Sequence, residues 1–219
     1  MIYDDALDKT RIDDFIMSLL TENDKDILEL KKFAIENDVP IIRDETKSFL
    51  RLIVNLKRPE NVLEIGTAIA YSTLVIHRSF PEAKIVTIEN YEKRIIEAKK
   101  NIDKFFGDGK VELVEDDASV YLKNSDKDNF FDLVFLDGAK AQYINWINDI
   151  KRLMKKNAIL ISDNIFKEGE ILESKFLIRK RDRTIHKKMR EFLHFIAKDE
   201  DFDTYIFNIG DGLSVSIKK

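Results

Sequence analysis

The sequence has no cysteine, only three prolines and only seven glycines in 219 residues. The first absence excludes disulfides, thiolate zinc sites and cysteine nucleophiles, and it suits a reducing compartment. Scarce glycine and proline leave no low-complexity linker, and no internal repeat is found, so no domain boundary is marked. Histidine is as scarce as proline: His77, His186 and His194 show no metal-ligand spacing, which points to core or surface roles. No uncharged apolar run approaches the length of a membrane span. The opening MIYDDALDKTRIDDF is acidic and lacks the basic-then-apolar order of a signal peptide. A cytoplasmic protein with no membrane partner is the expectation.

What is present suffices for a core. With 44% hydrophobic residues, the length suits one ordinary α/β domain over 1–219. The net charge of −4 argues by itself against nucleic-acid binding, but its distribution is uneven. From Lys175 to Arg190 eight Lys or Arg face one acid, Asp182, a net +7 that leaves −11 for the remainder.

Residues 1–58 read as a helical part. Ile12, Phe15, Ile16 and Leu19 share one face, Phe49, Leu50, Ile53 and Val54 share another, and Asn37 to Pro40 breaks the pattern between them. Over 59–219 short apolar runs alternate with amphipathic helices such as Tyr91–Phe105 and Gln142–Met154. The runs are Val62–Ile65, Ile85–Ile88, Val111–Val114, Leu133–Leu136, Ala158–Ile161, Thr204–Phe207 and Leu213–Ile217. Apolar strands alternating with helices imply an α/β fold whose parallel sheet is covered on both faces. Only Asn208–Gly212 separates the last two runs, too little for a crossover, so they are expected to close one edge as an antiparallel hairpin. In such sheets ligands bind beyond the carboxyl ends of the strands, at the point where strand order reverses.

Those ends carry the informative residues. After the first strand EIGTAIAYS runs straight into a helix: Gly66 lets backbone approach a ligand closely, and the helix start offers free N–H groups. A dinucleotide fingerprint would need further glycines, yet positions 68 and 70 are alanine. Glu89, after the second strand, is placed to accept from ribose hydroxyls, and Asp117-Ala118, after the third, to meet an adenine edge. Each residue also has a plain reading: Gly66 as a tight turn, Ser72 as a helix cap, Glu89 and Asp117 as acids complementing a helix dipole. Their occurrence together at consecutive strand ends favours a nucleoside-containing cofactor.

Asp137 follows the fourth strand, and Asp163 and Asn164 follow the fifth. Two carboxylates and an amide oxygen in one cleft suit a hard cation such as Mg²⁺, with open positions for two adjacent substrate oxygens. Lys140 lies three residues beyond Asp137, where a neighbouring cation would lower its pKa. The plain alternative is ordinary turn chemistry with a solvated lysine. Tyr143 and Trp146 read as packing residues, or as the border of a substrate pocket.

These segments share a resemblance. VLEIGTAIAYS, TIEN after the second strand, DGAKAQY after the fourth and SDN after the fifth resemble the metal-dependent O-methyltransferases of the catechol and caffeoyl-CoA type, from about Pro40 to the closing IGDGLSVSIK. The resemblance implies a Rossmann-like methyltransferase fold with a seven-stranded, mostly parallel sheet, and S-adenosylmethionine as cofactor. It implies that Glu64, Gly66, Ser72, Glu89 and Ala118 contact that cofactor, with Asp117 and Asp137 beside them. It also implies Asp137, Asp163 and Asn164 as ligands of Mg²⁺ (or Mn²⁺), Lys140 as the base for the substrate hydroxyl, and a homodimer. Where the family usually has glycine, this chain has Ala70.

Two substrate classes fit. One is a small catechol-like molecule. The other is tRNA, because KFLIRKRDRTIHKKMREF, Lys175 to Phe192, resembles the basic insertion and helix of bacterial tRNA 5-hydroxyuridine methyltransferases in the same family. On that reading Arg179, Lys180, Arg181 and Arg183 grip phosphates; on the plain one they are a solvated helix face. A 5-hydroxyuridine places its hydroxyl beside the O4 carbonyl, the same two-oxygen arrangement as a catechol. A module that only bound cofactor would not require Lys140.

Overall fold

A computed structural model describes residues 9–107 and 109–219. The first eight residues of the acidic opening lie outside the described residues. Three helices come first: α1 (Lys9–Leu19), α2 (Lys25–Glu36) and α3 (Asp44–Lys57). Asp24 starts α2, its carboxylate accepting from the Asp26 and Ile27 amides at 2.9 and 3.2 Å, which satisfies two of the free N–H groups of a helix start. Ile27 and Leu30 of α2 and Leu50 and Val54 of α3 bury into the core. The apolar face of α1 does not: Phe15 and Leu19 are 64% and 65% exposed. Helical spacing located that face, and nothing among the described residues covers it.

The remaining elements are β1 (Asn61–Ile65), α4 (Tyr71–Ser79), β2 (Lys84–Glu89), α5 (Glu92–Phe105), β3 (Val111–Glu115), α6 (Ala118–Asn124), β4 (Phe131–Leu136), α7 (Tyr143–Leu153), β5 (Met154–Asp163), α8 (Arg183–Ile196), β6 (Phe202–Phe207) and β7 (Leu213–Lys218). They form one sheet in the order β3-β2-β1-β4-β5-β7-β6. The first five strands are parallel; β7 runs antiparallel to both β5 and β6. The expected seven strands and terminal hairpin are present. β5 starts earlier than its apolar run, at Met154, which pairs with Phe131 before a register shift. Its opening stretch carries Lys155, Lys156 and Asn157, and polar residues of this kind hide a strand from any hydropathy pattern.

Side chains alternate between the two faces with the strand period of two. Val62, Leu133 and Phe135 join Leu50, Val54 and Leu74 in one core. Leu63, Val134 and Leu136 join Trp146, Ile147 and Phe192 in the other. Burial on both faces is why these strands read as continuous apolar runs. Strand order reverses between β1 and β4, and a large cleft opens at their carboxyl ends. Among the described residues no helix is long and apolar enough to cross a membrane.

Candidate active site

The cleft is a cavity of about 720 Å³ bordered by the loops after β1, β2, β3 and β4. Gly66 leaves β1 with φ +105°, and its N–H and that of Thr67 both donate to the Ile88 carbonyl, at 3.0 and 3.2 Å. A Cβ on Gly66 would stand 2.3 Å from the Asp137 carbonyl oxygen, so the residue permits the close approach of the β1 and β4 ends. Ala68 and Ala70 follow with φ +48° and +66°. The left-handed region costs an L-residue roughly 1–2 kcal/mol, and Ala70, fully buried, accepts that strain where the resembling family has glycine. Ala70 occupies the cap position of α4, which leaves Ser72 in the first turn, buried and lining the cavity. The cap reading of Ser72 therefore does not hold.

Glu89 lines the cavity while accepting from three backbone amides: Ala68 at 3.0 Å, Asn90 at 3.0 Å and Tyr91 at 2.9 Å. Those bonds use most of the roughly four acceptor sites of a carboxylate and aim it rigidly. Asp117 and Ala118 also line the cavity; Asp117 additionally caps α6 through Ser119 N at 2.8 Å, so its plain role is real. Trp146 forms another wall, its indole N–H donating to Ser119 Oγ at 2.8 Å.

Glu64 is placed differently. It does not line the cavity but lies fully buried beneath the loop, its Oε2 accepting from Thr73 Oγ1 at 2.5 Å and Thr87 Oγ1 at 2.6 Å. Oε1 has no partner. Burial pushes its pKa up to about 7, against the opposing hydroxyls. Because the folded value lies above the unfolded one, the stability linked to this group is fully present below about pH 4.5 and is lost as pH rises through about 7. The loss is on the order of 3 kcal/mol. The melting temperature of the parent should therefore fall relative to Glu64→Gln between pH 5 and 8; two curves separated by a constant offset would contradict a protonated Glu64.

Beyond β4 and β5, Asp137, Asp163 and Asn164 come together around Lys140. Asp163 ends β5, fully buried, its Oδ1 accepting from Asn164 N at 2.7 Å and facing Thr46 Oγ1 at 3.5 Å. Asn164 adopts φ +53°, a conformation that Asn tolerates, and its amide oxygen faces Lys140. Lys140 itself sits in the 3₁₀ turn Lys140–Gln142. Its Nζ shares its three N–H groups among Asp137 Oδ1 at 2.6 Å, Tyr143 Oη at 3.0 Å, the Asp163 carbonyl at 3.1 Å and Asn164 Oδ1 at 3.2 Å. The Tyr143 hydroxyl in turn donates to the Leu136 carbonyl at 2.9 Å.

The donor set fits a hard divalent cation. Oxygens from Asp137 and Asn164 already surround a positive charge, and the buried Asp163 Oδ2 has no partner at all. Among the described residues no three His, Cys, Asp or Glu cluster as metal ligands; one of the three oxygen donors expected here is the Asn164 amide. The expected depression of the Lys140 pKa presumes a metal cation beside the amine. Burial works in that direction, but the Tyr143 and Asp137 oxygens outweigh it and hold the amine above its usual value, as an ammonium. That expectation placed a cation beside the lysine, whereas its neighbours here are oxygens. Burial, then the charge of Asp137, pushes the Asp163 carboxyl up.

Tyr143, read as packing, is fully buried but also orients Lys140, and Thr46 was not singled out. The three-residue spacing of Lys140 and Tyr143 was the available signal. His77 and His186 are buried and His194 is exposed, all away from the cavity. The four basic residues are not at the cavity wall either. Arg179, Lys180 and Arg181 lie exposed in the irregular segment before α8, where Phe176 and Leu177 are 77% and 74% exposed. Arg183 opens α8 and donates to the Ile178 carbonyl at 3.1 Å.

A cofactor-sized cavity at the switch point of this sheet, with an oxygen-lined cation nest at its end, defines a Rossmann-like methyltransferase fold. The O-methyltransferase family profile matches residues 17–219, and the chain belongs to that family of enzymes. It is 28% identical over 167 residues to a catechol O-methyltransferase of Niastella koreensis, covering 74% of this chain and 76% of the relative. The structure of a provisionally named caffeoyl-CoA O-methyltransferase from Staphylococcus aureus superposes with TM-score 0.85 at 28% identity, covering 98% of this chain and 100% of that one. An O-methyltransferase from Bacillus cereus, solved in complex with SAH, shares the fold at TM-score 0.83 and 23% identity, covering 95% and 97%.

Proposed function

We propose that the chain, as one domain over 1–219, transfers the methyl group of S-adenosylmethionine to one of two adjacent oxygens on its substrate, with Mg²⁺ or Mn²⁺ held by Asp137, Asp163 and Asn164. The observation that carries this is the oxygen nest around Lys140, opening onto the cavity lined by Gly66 and Glu89. The catechol O-methyltransferase relative and the SAH-bound neighbour support the same chemistry. Gly66 lets the cofactor lie against backbone, the first turn of α4 with Ser72 receives its carboxylate, Glu89 its ribose, and Asp117 and Ala118 its adenine. Glu64 supports the loop from beneath. When bound, the metal supplies a Lewis acid that lowers the pKa of a substrate hydroxyl and aligns two oxygens. The hydroxyl oxygen forms a bond to the methyl carbon as the sulfur–carbon bond breaks and its electron pair returns to sulfur; the hydroxyl proton passes to Lys140. Lys140 can accept it only when it is no longer an ammonium bound to Asp137. The open face of α1 supports association of two copies through the N-terminal helices.

A finer reading is favoured by the exposed basic segment. Arg179, Lys180, Arg181 and Arg183, preceded by the exposed Phe176 and Leu177, suit the phosphates and unstacked bases of a single-stranded loop. On this reading the substrate is wobble-position 5-hydroxyuridine in tRNA, converted to 5-methoxyuridine; a small catechol is the alternative. The test pairs tRNA and catechol methylation for the parent and a variant with the four basic residues replaced by Ala. Three or four phosphate contacts give log affinity against log salt a slope of roughly −2 to −4, and the variant should flatten it while cofactor binding stays unchanged. Catechol turnover far above tRNA turnover, unaffected by the replacements, returns the segment to a solvated surface. Full activity in excess chelator removes the metal from either reading.

A further inference from the structure

We infer that Lys140 is the resident cation of the metal site: its ammonium holds the ligand oxygens together until a divalent metal displaces it, so that loading the metal and freeing the lysine are one exchange. This rests on the proposed metal reading and adds a competition to it.

The geometry is that of an occupied cation site. Four oxygens stand 2.6 to 3.2 Å from Nζ, and two of them belong to proposed metal ligands, Asp137 Oδ1 and Asn164 Oδ1. A third, the Asp163 carbonyl, belongs to the residue that carries the remaining ligand. An ammonium is a compact charge with three donors, able to substitute for a small ion in such a nest. It is also needed there. Without it the Asp137 carboxylate would lose its bonded cation while its charge still acts on the buried Asp163, an arrangement that is destabilising. A divalent ion cannot take the same oxygens while the ammonium remains, because like charges would meet at contact distance.

Tyr143 is the partner that the exchange leaves. Its hydroxyl hydrogen is committed to the Leu136 carbonyl, so a lone pair faces Lys140 at 3.0 Å. No proposed metal ligand role falls on this oxygen. It can hold the displaced amine close to the site after Asp137 and Asn164 have turned to the metal.

Competition has a thermodynamic signature of reciprocal form: whatever ammonium binding contributes to the metal-free site is subtracted from metal affinity. Titrating Mn²⁺ into metal-free parent and Lys140→Met by calorimetry, without cofactor, should show tighter binding by the variant, by about tenfold, within the usual range of such couplings. In excess chelator the same variant should melt below the parent, and Mn²⁺ should raise its melting temperature by more. Equal or weaker Mn²⁺ binding by Lys140→Met overturns the exchange. The parent alone supplies a second measurement that does not depend on the variant folding. Acetylation of Lys140 by an amine-selective ester, followed by peptide mass spectrometry, should be slow in chelator and about tenfold faster with saturating Mg²⁺. Labelling that stays constant or slows on adding Mg²⁺ also overturns it. If neither protein binds a divalent metal, the metal reading itself falls and the inference with it. If the parent binds and the variant binds no tighter, only the inference is lost.

Discussion

Gly66→Ala is expected to abolish S-adenosylmethionine binding and to destabilise the fold by about 3 kcal/mol, the sum of a strained backbone angle and a contact that cannot be relieved locally. The added Cβ would meet the Asp137 carbonyl oxygen at 2.3 Å, its carbonyl carbon at 2.8 Å and the Gly138 Cα at 3.2 Å, all of them backbone. No rotamer change moves such atoms. Asp137 is itself fixed to β1, because its N–H donates to the Ile65 carbonyl at 2.9 Å. Relief therefore requires the ends of β1 and β4 to part, and these ends form the floor of the cavity. Gly107→Ala is the matched control, since a Cβ there meets nothing within 4 Å. Calorimetry with the cofactor and thermal melting of both variants decide the matter. A Gly66→Ala protein that binds cofactor within about threefold of the parent would show that the β1–β4 approach does not shape the site, since threefold is worth only about 0.7 kcal/mol.

The parts of this site legible in the sequence are those that depend on strand ends. Buried parallel strands leave continuous apolar runs, so the residues following them, Gly66, Glu89, Asp117, Asp137 and Asp163, could be named without coordinates. Depth and field were not legible. Glu64 lies one residue from the cavity floor yet points beneath the loop, since the strand period of two sends it to the face opposite Ile65. The ring of oxygens around Lys140 is completed by the Asp163 carbonyl and Asn164 Oδ1, which the fold brings from 23 and 24 residues away. Tyr143 looked like packing because it is packing; its hydroxyl acquires a second role only where the Leu136 carbonyl and Lys140 meet it. The apolar face of α1 shows the converse, a correct helical pattern whose partner is not among the described residues.

Asp137→Asn should lower kcat/KM by at least about a thousandfold, equivalent to roughly 4 kcal/mol of transition-state stabilisation. Asp137 is where the two halves of the site join: its carbonyl packs on Gly66, and its carboxylate holds Lys140 at 2.6 Å while lining the cavity. The amide preserves the shape and the carbonyl contact but removes the charge, so metal affinity should fall with turnover. The metal-free fold should suffer little. In the parent, the Asp137 carboxylate holds the ammonium directly, and its charge contributes to pushing the Asp163 carboxyl up. In the Asp137→Asn variant the charge that opposes Asp163 is gone, so Asp163 ionises more readily and its charge balances that of Lys140. Melting in chelator should then stay close to the parent while Mn²⁺ binding and methylation are lost together, a pattern that unfolding cannot produce. Retention of turnover within about tenfold, with Mn²⁺ bound as tightly as by the parent, would remove Asp137 from the ligand set, because a lost charge on a metal ligand costs several kcal/mol. Its remaining role would be the backbone contact with Gly66, which the substitution leaves intact.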